Sequence, residues 1–66
     1  MMEESERLAR FETALADWVA EWESVNATLD SLRAQGKTRT ATYQQLTARK
    51  LTLKSVLAPF EEQGLL

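Results

Sequence analysis

The chain has 66 residues, with ten acids, eight bases, no histidine and no cysteine, and a net charge of −2. Without cysteine or histidine it can form neither a disulfide nor a thiolate metal site, and it lacks the commonest general base and metal ligand. This length supports one small domain, and a core built from it alone is marginal, because so short a chain buries only about 60% of its extended surface.

The N-terminal sequence Met1-Met2-Glu3-Glu4-Ser5-Glu6 is acidic where an export signal is basic. No stretch approaches the ~18 consecutive apolar residues of a membrane span. Both features, with the absence of cysteine, lead us to expect a cytoplasmic protein without membrane contact.

The first element is announced by Leu8, Phe11, Leu15, Trp18, Trp22, Val25, Leu29 and Leu32, which alternate three and four residues apart. Only a helix gathers those spacings onto one stripe, so a single long helix is predicted over about residues 5–35. Glu3, Glu4 and Glu6 place negative charge where the helix dipole favours it, and Ser5 is a candidate N-cap. Arg33 sits in the predicted last turn, and Gly36 stands where a left-handed C-terminal cap belongs.

Residues 36–38 form the predicted connection, with Thr38, Thr40 or Thr42 as the next N-cap. Thr42 and Gln45 have capping-box spacing. The alternation of these threonines also suits a strand, but a lone strand without a partner is not a structure. Helical spacing resumes with Tyr43, Leu46, Lys50, Leu53, Leu57 and Phe60, predicting a second helix over about residues 39–58.

Pro59 lacks the amide proton a helix interior needs and would clash with the Ser55 carbonyl, so a separate short turn is expected over 59–64, ended by Gly64. That turn would fold Phe60, Leu65 and Leu66 over Leu8 and Phe11. At ~1.5 Å per residue the first helix runs ~46 Å and the second ~31 Å, leaving an overhang to be covered.

Folding the chain back at Gly36-Lys37 pairs positions whose numbers sum to 75. Leu32 then meets Tyr43, Leu29 meets Leu46, Val25 meets Lys50, Trp22 meets Leu53, Trp18 meets Leu57, and Leu15 meets Phe60. Each pair sets one kind of core heptad position against the other, as antiparallel helices require. The expected fold is therefore an all-α antiparallel helical hairpin forming one domain, 1–66, with a coiled-coil-like seam. Trp18 and Trp22 are large for a two-helix seam, and are most economically explained as core of a four-helix bundle made by two hairpins.

Charge divides between the halves. Residues 1–35 carry −5 and residues 36–66 carry +3, with no acid between Lys37 and Ala58. The helices should attract each other generally. In the 75 register, however, Glu21 falls near Val56 and Arg49 near Thr28, so no flanking ion pair is expected within the hairpin. The acidic helix of one chain is instead expected to meet the basic flank of another.

Two further faces are informative. On the first helix, Ala9, Thr13, Ala16, Ala20, Ala27, Ser31 and Ala34 form a small, uncharged stripe. It is either simply good helix-forming sequence or a face for close helix approach. On the second, Ala41, Gln44, Ala48, Leu51, Thr52 and Ser55 make a face without charge, which reads as an interface centred on Leu51. Lys50, at a core position, is expected to lay its stem along apolar surface and lift its ammonium into water.

Catalytic chemistry is not legible. The Gly36-Lys37-Thr38 run lacks the strand and the glycine at position 31 that a phosphate-binding loop requires; Ser31 stands there. No catalytic, cofactor-binding or metal-ligating residue is assigned, and no enzyme is expected. The functional expectation is a small homodimeric regulator, adaptor or inhibitor that binds another protein, with Leu8, Phe11, Trp18, Trp22 and Leu51 as interface residues. The alternative is a nucleic-acid binder using Arg39, Arg49, Lys50 and Lys54, whose affinity would fall steeply with salt.

Overall fold

A computed structural model describes residues 3–66; Met1 and Met2, which entered the reading of the N-terminal sequence, lie outside the described residues. The chain forms two helices, α1 (Glu4–Ala34) and α2 (Ala41–Glu62), packed against each other with no strand among the described residues. The hairpin is elongated, with extents of 49 × 21 × 16 Å. No helix among the described residues is long and apolar enough to cross a membrane.

Local chemistry sets the helix ends. Helix α1 starts one residue earlier than Ser5, with Glu3 as N-cap and no side-chain cap bond. Ser5 is therefore inside the first turn, and this solvated end relies on the acids Glu4 and Glu6 beside the positive end of the dipole.

At the other end Gly36 adopts φ +69°. Its amide donates to Arg33 O at 3.0 Å, and the Lys37 amide donates to Leu32 O at 2.8 Å. This is a Schellman closure, and it supplies partners to carbonyls that the helix end would otherwise leave bare.

The connection runs over residues 35–40 rather than 36–38. Thr40, not Thr42, caps α2: its Oγ1 accepts from the Tyr43 amide at 3.1 Å and donates to Lys37 O at 3.2 Å. One hydroxyl thus ties the loop to the helix start, and Arg39 belongs to the connection rather than to α2.

The expected break at Pro59 does not occur, for α2 continues through it to Glu62. The hydrogen bond that Pro59 forfeits would have gone to Ser55 O, and both residues lie on the exposed face of α2, where solvent can satisfy that carbonyl. The ladder then resumes, with the Gln63 amide donating to Pro59 O at 3.2 Å. A second Schellman closure follows at Gly64 (φ +72°), where the Leu65 amide donates to Phe60 O at 2.9 Å.

Continuity through Pro59 carries Phe60 back to Phe11, with ring centroids 5.7 Å apart and planes tilted by 46°. This tilted contact is worth roughly 0.5–1.5 kcal/mol beyond its burial. The tail does not cover the overhang: Leu8 remains 57% exposed, and Leu65 and Leu66 are also exposed.

The core is short. Val25, Leu29, Leu53 and Leu57 are the buried hydrophobic residues, with Leu53 at 0% and Leu29 at 1% exposure. Trp18, Trp22, Tyr43 and Leu46 pack against that cluster while staying half-buried. These residues come from the central rungs of the expected register. Burial fades toward the open end, where Phe11 is 43% exposed.

Two stability predictions follow from the packing. Leu53→Ala should cost about 2–5 kcal/mol, comparable with the whole stability of so small a domain, whereas Leu51→Ala, at a position 62% exposed, should stay within about 0.5 kcal/mol in chemical denaturation. Pro59→Ala should raise stability by about 1 kcal/mol, as the restored Ser55 bond outweighs the lost rigidity of the unfolded chain; an unchanged or lower melting point would mean the proline is already strain-free.

Candidate interaction surface

Helical geometry divides the hairpin into two flanks on either side of the buried seam. A residue turns 100° from its neighbour, so adjacent positions such as Glu21 and Trp22, or Arg49 and Lys50, serve different flanks.

One flank is closed by charge. Arg49 donates from Nε to Glu21 Oε1 at 2.6 Å and from Nη2 to Oε2 at 2.9 Å, a two-pronged bridge between α2 and α1. Its guanidinium also stands 5.5 Å from the Trp18 ring centre, within cation–π range. The bridge overturns the expectation that no flanking pair forms. In that register Arg49 has Thr28 as its flanking neighbour and lies level along the axis with position 26, five residues or about 7.5 Å from Glu21. Two long side chains together span that offset, which a rung-by-rung pairing leaves out.

The bridge holds the Glu21 carboxyl below its ordinary range, chiefly through the hydrogen bond from Arg49, and raises Arg49 in turn by the same bond. A second polar tie lies near the loop, where Arg33 Nε donates to Tyr43 Oη at 2.9 Å and Nη1 bonds Asp30 Oδ1 at 3.2 Å. The guanidinium meets the phenol at its oxygen, and this bond raises Arg33.

The other flank stays open. Lys50 Nζ stands 5.8 Å from the Trp22 ring centre, so this core-position lysine turns its charge onto the indole. Beyond it, Trp22, Leu57 and Ala58 line a pocket of about 130 Å³ with Lys54 and Glu61 at its margin. A shallower groove of about 370 Å³ runs along α1, floored by Leu15, Ala16, Val19 and Leu66 and edged by Glu12 and Glu23. Leu66 therefore reaches this groove and not Leu8.

The structure does not gather the sequence-derived interface residues into one patch. Trp18 faces the charged flank, Trp22 the open one, and Phe11 meets Phe60 at the open end. Leu8 is exposed beyond them, and Leu51 lies alone on the outer, uncharged face of α2. Of the four bases assigned to nucleic acid, Arg49 and Lys50 are engaged within the hairpin, while Arg39 and Lys54 are exposed and separated between the loop and mid-helix.

The sequence reading missed the groove residues Leu15 and Val19 and the pocket residue Ala58 as surface. Val19, an apolar residue outside the seam stripe but one turn from both Leu15 and Trp22, was the available signal. Compared with family models, with curated proteins and with solved structures, the chain shows no significant match.

The bridge makes a signed prediction. Because Glu21 is depressed in the folded state, its contribution is fully present above the ordinary carboxylate range and is lost as pH falls through the lowered value. Glu21→Gln should therefore melt lower than the parent at pH 7, and the two should converge in acid. A constant difference across that range would show that the bridge is not what the substitution removed.

Proposed function

We propose that this protein is an interaction module without enzymatic chemistry of its own: a helical hairpin that associates with itself and, as a dimer, presents its remaining faces to another protein. What carries this reading is the mismatch between seam and core. Eight large apolar residues line α1, yet only Val25 and Leu29 among them are buried, while Leu15, Trp18, Trp22 and Leu32 are half-buried and Leu8 and Phe11 exposed. A lone hairpin leaves these seam residues incompletely covered on both flanks and at the open end, and apolar surface left facing water in this way supports association.

A regulator, adaptor or inhibitor of a second protein would then use what the dimer leaves free, and the uncharged face around Leu51 is the strongest remaining surface. The nucleic-acid reading has less support, since Arg49 is already paired with Glu21 and Arg39 and Lys54 lie apart on the loop and mid-helix.

Light scattering on a size-exclusion column over a concentration series, with a helical melt at each concentration, tests the proposal. A dimer whose melting temperature rises with concentration is expected, since association stabilises the folded state by mass action. A folded monomer at every concentration would remove self-association from the function.

A further inference from the structure

Building on that reading, we infer that the partner seated on the open flank is a second copy of this chain, docked so that α1 of each protomer lies along α2 of the other. The occupant is identified by charge. The apolar strip formed by Leu15, Val19, Trp22 and Ala58 runs between two margins of opposite sign. On the α1 side the margin is acidic, with Glu12 and Glu23; on the α2 side it carries Lys50 and Lys54, with Glu61 as the acid at its far end.

Among the described residues the ion pairs are Asp30–Arg33 and Glu21–Arg49. Glu12, Glu23 and Lys54 are therefore left without an ionic partner inside the hairpin. A surface that is acidic on one edge and basic on the other is complementary to itself after a two-fold rotation, which is the condition for a closed dimer.

The axis direction follows from the same charges. A two-fold axis along the helices sets Glu23 of each α1 level with Lys50 and Lys54 of the partner's α2, twice over, while Glu12 falls level with Glu61 at the far end. An axis across the helices places α1 on α1 and sets acid against acid. Like charges facing each other destabilise an interface, and the first arrangement pairs opposite charges at its centre around Glu23, Lys50 and Lys54, so it is the one inferred. It also leaves every helix antiparallel to its neighbours, with Trp22 covered on its bare side. The opposite flank lacks this two-signed pattern: its base, Arg49, is already paired with Glu21, and the groove beside Trp18 is edged by the acids Asp17 and Glu21.

Charge reversal tests both the face and the orientation. Glu23→Lys and Lys54→Glu are exposed-site changes, so each chain should keep its helical spectrum. Alone, each places like charges at both symmetry-related contacts, and its dimer dissociation constant should rise about tenfold or more at low salt. Mixed in equal amounts, the two variants should recover parent-like association as a heterodimer, because each supplies the charge the other needs.

As a second reading, the cysteine-free chain accepts single labels. Val19→Cys mixed with Ala58→Cys should cross-link to each other faster than either does to itself. If the parent dimerises but reversal and mixing leave association unchanged and the cysteines show no preference, the docking face is wrong while self-association stands. If the parent is monomeric, both fall.

Discussion

Two helices can bury only the stripe along which they touch, and in this chain that stripe closes over four aliphatic side chains, Val25, Leu29, Leu53 and Leu57. Everything else about the molecule depends on how narrow that contact is. Among the described residues no third layer covers the shoulders of the seam, so its aromatic residues keep part of their surface in water. A core this small leaves little margin over chain entropy, so burial shared with another chain would add proportionately more stability here than in a larger domain.

The aromatic residues are handled by cations on the facing helix. Consecutive positions on α2 place Arg49 over Trp18 and Lys50 over Trp22, one on each flank. Yet the flanks differ in kind. Arg49 is held by both oxygens of Glu21, and a planar guanidinium held that way is fixed in direction as well as neutralised. Lys50 has no carboxylate partner among the described ion pairs. The difference in head group between these neighbouring residues thus accompanies an inter-helix ion pair on one side of the hairpin and none from Lys50 on the other.

Pro59 shows how a local rule yields to a tertiary gain. A break there would have released Phe60 from the helical path. Holding the path costs one hydrogen bond on the solvent side and places Phe60 against Phe11, at the end of α1 where burial is scarcest. The two glycine closures then end each helix with its last carbonyls occupied, so the termination of both elements is local chemistry rather than packing.

Periodicity alone determined the number of helices, their antiparallel pairing, the turn at Gly36 and the residues at the centre of the core, because alternating three–four spacing has one geometric solution and Gly36 is the natural terminator between two such runs. Tertiary structure decided what depends on reach and exposure. Which threonine caps α2 was settled by the loop path that brings Lys37 O to Thr40. Whether Pro59 ends the helix was settled by the exposure of Ser55 and by the ring waiting at Phe11. The Glu21–Arg49 bridge escaped a rung-by-rung register because side-chain length crosses rungs. The split of Trp18 and Trp22 onto unlike flanks appeared only once the cations facing them had taken their places.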